Sequence, residues 1–429
     1  MRRTALVVIC CCFFASQLAF SQEETSAKPD EAKVRTLIRQ LDDRDSSKRD
    51  AAETALRELG PVVLDYLPTV NDRTGGELKG RLLRIRDHLE KLRVARTTTA
   101  TRLTLKGKMK LSEALKAIEE QTSNVVLDSR REQVDTELEI DVEDEPFWIA
   151  FDKLCDAADI TVSPYVGESR KLAIVEAGEG AVSRVGRAAY EGLFRINPTS
   201  ISCERNLSND NGNIARLRLE LLWEPRVVPI LIRQDLQNVT VVTDSQETLG
   251  LLQSGTIQIP VQPTVASLDL RLPIELPSRD ATTIESLKGE LVAMVPGGDV
   301  TFEFKDLVDL TDAEQSRGGL TVTVANVRRN GDLQFPQIAV RIRFDQAGEL
   351  MQSHLDWVEN NVISLLDPKG NPADVPNYER YLERDSEIGF RYVFPVETKD
   401  LTGWTLSYTT PAGVSEVPVP YEIKNIPLP

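Results

Sequence analysis

Chemistry at a protein site needs a nucleophile with a base, a set of metal ligands or a cofactor loop, and this chain is short of each. It holds two histidines, His88 and His354. His88 falls on a helical stretch among arginines and glutamates, on what reads as a solvated face. His354 lies near Asp356 and Trp357. Three of the five cysteines, Cys10, Cys11 and Cys12, sit in an apolar N-terminal run, which leaves Cys155 and Cys203. These two read as separate buried thiols in different domains, with Cys155 a small packed hydrophobe. No serine elbow, H-E-x-x-H, C-x-x-C or phosphate-binding glycine loop occurs. Zinc-type ligation through His or Cys is therefore nearly excluded by inventory. Carboxylates are abundant, and the richest loop is KDLVDLTDAE, with Asp306, Asp309, Asp312 and Glu314. A hard cation takes oxygen ligands, but this spacing is not that of an EF-hand, and a solvated surface is the reading. Trp223, Trp357 and Trp404 could form a sugar platform beside a carboxylate pair; core packing is the simpler reading of each. The inventory assigns no catalytic residue, no cofactor and no metal site.

The composition bounds the rest. At 429 residues the chain is long enough for two to four domains. Its formal net charge is −16. An acidic chain lacks the basic face that phosphate binding needs, which argues against a nucleic-acid partner. Residues 1–21 read as a signal peptide: Arg2 and Arg3, the apolar ALVVICCCFFA, then Ala19-Phe20-Ser21 before a cleavage point at Gln22. Loss of the two arginines takes the charge from −16 to −18. No other run is apolar and long enough for a membrane helix. The chain is thus expected to be exported, and periplasmic or extracellular.

The elements that would position these residues follow from periodicity. Residues 22–30 are a flexible lead-in. Residues 31–96 read as helices: Val34, Leu37, Ile38 and Leu41 on one, capped Ala52, Ala55, Leu56 and Leu59 on the next. A third runs through Val63, Leu64 and Leu67, and a fourth through Leu78, Leu82, Ile85, Leu89 and Leu92. Residues 101–177 read as β-α-β-β-α-β-β. In the second helix Phe147, Phe151, Leu154 and Ala158 form the inner stripe, Pro146 sits at the first turn, and Trp148 and Cys155 fall on the flank. After a Gly/Ser/Ala linker at 178–187, residues 188–278 and 281–429 read as two β-sandwich-like domains. SNDNGN at 208–213 reads as a hairpin loop. Thr321 and Thr323 should face out and Val322 and Val324 in, and a short helical turn is expected within 346–356. The fold class is multidomain α+β.

Two stretches resemble known families. Asp45, Arg49, Ala52, Leu56 and Gly60 meet the D-x-x-x-R-x-x-A-x-x-x-L-x-x-x-G pattern, so this region resembles a HEAT-like repeat. The helix openings L-S-E-A-L-x-x-I and P-F-W-x-A-F-x-x-L, in the βαββαββ order, resemble the short N-terminal domain of secretins and TonB-dependent transporters. That resemblance implies protein partners in the periplasm, although no secretin ring or transporter barrel comes after it here. The expected function is a non-enzymatic exported binding or assembly protein of the bacterial cell envelope with a protein partner. The alternative is a carbohydrate-binding or carbohydrate-active protein with its site in a β-sandwich domain.

Overall fold

The computed structural model describes residues 30–429 apart from 69, 71–73, 210–211, 309, 329–334, 345–355, 385 and 399. The signal segment, most of the lead-in, Asp309, His354, the centre of the SNDNGN loop and all but the last residue of the expected turn at 346–356 lie outside the described residues. Strands hold 46% of the chain and helices 23%, so the fold is α+β with the sheets setting its architecture.

The N-terminal helices are α1 (Glu31–Gln40), α2 (Ser46–Glu58) and α3 (Gly76–Thr98), with a single 3₁₀ turn at Pro61–Tyr66 where periodicity suggests a third helix. Asp30 and Asp45 cap the first two, accepting from the Ala32 and Ser47 amides at 3.0 and 2.9 Å. Gly60, at φ +80°, ends α2 in a conformation that favours glycine. Val34, Leu41, Leu56, Leu82, Ile85 and Leu89 close one apolar core. The long α3 outruns its partners: Leu92, expected on the inner face, is exposed, and Val94 joins the next core.

The βαββαββ order is found as β1 (Arg102–Lys110), α4 (Leu111–Thr122), β2 (Val125–Asp128), β3 (Glu137–Pro146), α5 (Phe147–Ala158), β4 (Ile160–Ser163) and β5 (Lys171–Glu176). The strands divide into two sheets. β1 pairs antiparallel with β3, while β5 lies between β2 (parallel) and β4 (antiparallel). On α5, Phe147 and Phe151 stack at 5.3 Å. Trp148 and Cys155 are not on a flank: both are buried, because α5 is covered on its second side as well.

That cover belongs to the next unit. One sheet runs β13 (Ser267–Ile274), β8 (Ile214–Trp223), β7 (Phe194–Glu204), β6 (Ala189–Glu191). The other holds β9 (Leu231–Asp235), β10 (Thr240–Thr243), β11 (Thr248–Leu249), β12 (Thr256–Pro260), β14 (Thr283–Val295) and the last strand, β23 (Ser415–Pro427). β14 pairs along one edge with β9 and β10 and along the other with β23. The expected boundary at 281 therefore does not divide the core: β14 and β23 belong to the sheet of the first sandwich-like unit. One continuous core joins that unit to the βαββαββ module, from Val94 to Ile426.

The C-terminal unit comprises what lies between. Its sheets are β15 (Gly298–Lys305), β22 (Thr405–Ala412), β19 (Val362–Leu366), and β16 (Thr311–Arg317), β17 (Leu320–Arg328), β18 (Gln337–Phe344), β21 (Glu387–Val393), β20 (Asn377–Arg384). Its core is separate. Val322 and Val324 point into it, but Thr321 and Thr323 are buried too. Side chains on the neighbouring strand lie over them: Ser316 bonds the Thr321 hydroxyl, and the Thr323 hydroxyl donates to Glu314.

Candidate functional site

The chain crosses between the two β units twice, at Pro296–Gly297 going out and at Ala412–Val414 coming back. The Gly297 amide donates to the Ala412 and Gly413 carbonyls, at 3.1 Å each. A cleft lies beside this double crossing, with a cavity of about 160 Å³. The first sandwich-like unit supplies Val228, Pro229, Ile230, Val261 and Pro263. The C-terminal unit supplies Asp299, Trp357, Asn360, Asn361, Val362 and Thr409, and the module supplies Ser169 and Arg170.

Local structure explains each contribution. The segment before β9 is held by Ile230, whose amide donates to the Met294 carbonyl at 2.8 Å and whose carbonyl accepts from Val261. Proline is tolerated in such flanking segments because no ladder amide is required there. Trp357 sits on a 3₁₀ turn, Asp356–Asn360. Its ring lies 5.7 Å from Phe344 and packs against both the C-terminal core and the Ile230, Leu231, Met294 cluster.

Of the cleft's polar groups, Arg170 and Asp299 pair with each other, and Asn361 and Thr409 are held by residues outside the lining. The Asn361 side-chain amide donates to the Tyr408 and Thr410 hydroxyls, at 2.8 Å each. The Thr409 and Thr301 hydroxyls share a 2.8 Å hydrogen bond. Arg170 reaches across the mouth to Asp299 at 2.6 Å. The exposed Asn360 carboxamide and the exposed Ser169 hydroxyl complete the polar lining. An apolar wall with a few placed polar groups at a domain junction is the ordinary form of a binding site. Among the described residues that line it there is no histidine, no thiol and no carboxylate pair.

The residues singled out from the sequence do not converge. Of the three tryptophans, Trp357 lines the cleft, Trp223 is buried, and Trp404 packs against the C-terminal core. His88 is exposed on α3. The acidic stretch KDLVDLTDAE is not all loop: Asp312 and Glu314 lie on β16, an edge strand, and Asp312 is paired with Arg341 at 2.8 Å. Among the described residues no cluster of His, Cys, Asp and Glu could hold a metal ion. Cys155 and Cys203 are unpaired; Cys155 is buried, whereas Cys203, expected buried, is exposed at the end of β7. Burial, with Asp152 nearby, pushes the Cys155 thiol up to about 12.

Two buried polar clusters leave little trace in the sequence. Asp152 on α5 accepts from Arg195 Nε and from the Tyr190 hydroxyl, both at 2.7 Å, and Asp152 and Arg195 are fully buried. Trp148 Nε1 donates to the Leu193 carbonyl at 2.9 Å alongside. Burial raises the Tyr190 pKa, and the Asp152 charge raises it further. Burial alone would lower Arg195, but Asp152 outweighs it. The second cluster centres on buried Glu224, which accepts from the Thr101 amide and hydroxyl, from Asn124 and from Arg226. Both clusters fasten the module to the first sandwich-like unit. An Asp on the buried stretch of the helix FWIAFDKLCDAA, one residue after Phe151, and a lone Arg in the apolar run LFRI are the available signals.

No family model and no curated protein matches the chain. Among solved structures, the crystal structure of the conserved domain protein from Bacillus anthracis aligns with 56% of this chain and 90% of its own. At 5% identity and a TM-score of 0.15 it carries no argument about fold or function.

Proposed function

We propose that this is an exported, non-enzymatic binding protein of the bacterial cell envelope that holds a protein partner at the junction cleft. The cleft itself carries the reading: three units meet around Trp357, much of the wall is apolar, and four of the six polar residues that line it are already engaged within the protein. Such a pocket suits an apolar anchor side chain set in a well-packed surround. The resemblances of residues 31–96 to HEAT-like repeats and of 101–177 to the short N-terminal domain of secretins support a protein partner, and residues 1–21 support export. No helix among the described residues is long and apolar enough to cross a membrane.

A photo-crosslinking residue at Val362, 62% exposed at the cleft, tests the reading in the native envelope. It should trap a discrete protein, and Trp357→Ala should abolish the trapping. The same probe at Leu207, exposed outside the cleft, should trap nothing specific. Equal trapping at both positions, or trapping indifferent to Trp357, overturns the site. A hydrolytic activity lost on replacing one Asp or Glu of the β units would overturn the non-enzymatic reading.

A further inference from the structure

Taking the junction cleft as the partner site, and resting on that reading, we infer that its occupant is a basic polypeptide segment with an apolar anchor. The anchor enters beside Trp357 between Pro229, Pro263 and Pro411, and a flanking lysine or arginine takes Asp299 from Arg170.

The polar inventory argues against a sugar. A saccharide brings a hydroxyl on nearly every carbon, each needing a partner when it leaves water. Asn361 and Thr409 are already engaged within the protein, which leaves only Ser169, Asn360 and the exchangeable Arg170–Asp299 pair to meet a sugar's hydroxyls. The size agrees: the cavity is about 160 Å³, where a whole cofactor or drug-sized ligand takes roughly 300–1,000 Å³. The exposed Asn360 carboxamide presents both donor and acceptor groups to a peptide backbone at the rim.

Charge then selects among polypeptides. Arg170 and Asp299 are the cation and the anion of the cleft, and their side chains remain 48% and 34% exposed. An ion pair so open to water is weak and exchangeable. Either an incoming carboxylate displaces Asp299 or an incoming cation displaces Arg170. The net charge of −16 favours the second, since the field of the whole molecule draws cations in and repels carboxylates.

Fluorescence anisotropy on the full chain tests this with three probes: a Pro-Leu-Leu-Pro peptide flanked by lysines, the same core flanked by glutamates, and chitotetraose. At low salt the lysine probe should bind about tenfold or more tighter than the glutamate probe. Asp299→Asn should erase that difference, and Arg170→Ala should tighten the lysine probe. Trp357→Ala should remove binding of both peptides; Val362→Lys, at an exposed position that leaves the core intact, should weaken the lysine probe. A glutamate probe that binds as well or better, with binding still dependent on Trp357, overturns the basic partner while leaving the cleft as the site. Trp357-dependent binding of chitotetraose, or no binding of either peptide, overturns the inference outright. Peptide binding indifferent to both Trp357→Ala and Val362→Lys overturns the cleft reading as well.

Discussion

Arg195 and Asp152 show how a single residue can carry an interface. Each is buried, and each leaves one polar atom, Arg195 Nη2 and Asp152 Oδ1, without a hydrogen bond. Removing one partner strands the other charge inside, which costs about 3–5 kcal/mol, whereas replacing both with apolar residues of similar size is often neutral. Asp152→Leu alone should therefore lower Tm sharply, and Asp152→Leu with Arg195→Met should recover most of the loss; equal losses in single and double variants would contradict this account. Glu220, half-buried on β8, titrates differently. Burial raises its pKa above 4.5, Arg195, Arg184 and Arg218 pull it down, and Asp269 adds to the rise. A carboxyl raised on folding stabilises the fold fully below its unfolded pKa, and the benefit fades as pH climbs through the folded value. Glu220→Gln should thus match the wild type near pH 4 and be more stable at pH 7, as read by thermal unfolding across that range. The cysteines give a third contrast. With its pKa near 12, Cys155 should resist iodoacetamide at pH 8 while exposed Cys203 is alkylated; mass spectrometry of the native protein decides it.

At the scale of the element, α5 shows what the sequence makes legible and what it hides. The spacing of Phe147, Phe151 and Leu154 marks a buried stripe, because a helix buries residues at a period near 3.6. Phe151→Ala should cost roughly 3–5 kcal/mol in the full chain; a harmless substitution would mean the face is misassigned. The second buried face is illegible, since a partner that arrives from residues 190–195 leaves no periodic trace on the helix itself. The fragment 101–177 would leave Trp148 without its Leu193 carbonyl and Asp152 without Arg195, so α5 has to be tested in the whole chain. Edge strands are hidden for a different reason. β16 reads TDAEQSR and β20 reads NYERYLER, and both are largely exposed. An edge strand gains ladder hydrogen bonds without burying alternate side chains, so no apolar alternation shows. The cleft is the least legible feature. Pro229, Pro296, Trp357 and Arg170 are ordinary one at a time, and only the double crossing brings them together.

At the scale of the whole molecule the chain order and the cores disagree, and that disagreement can be tested. β14 leads out of the first sandwich-like unit, residues 298–412 form a unit with its own core, and β23 returns to pair with β14 from Thr283↔Pro427 to Val295↔Ser415. The C-terminal unit is thus inserted into the first, with its two ends joined at Gly297 and Ala412. Both crossing segments carry glycine where a Cβ would collide with the Arg93 side chain, at Gly297 and Gly413. Gly413 also has φ +61°, where a side chain adds strain. Helix α3 thus packs its Arg93 side chain against both crossing segments, and Gly413→Ala should loosen the joint, seen as faster proteolysis at 296–298 and 412–414. The insertion makes a stronger prediction. Ends that lie this close allow a unit to be removed without disturbing its host. Replacing residues 298–412 with a short glycine linker should leave the module and first sandwich-like unit folded, with β23 still closing the sheet, and the excised 298–412 should fold alone. Cutting at 280/281, where composition suggests a boundary, should instead give two insoluble fragments, because it strips β14 and β23 from one core and leaves them paired only with each other, without β9 and β10 and with their buried face uncovered. Soluble, cooperatively unfolding products from the 280/281 cut, or an aggregated product from the 298–412 excision, would show that the continuity of the first core does not govern folding.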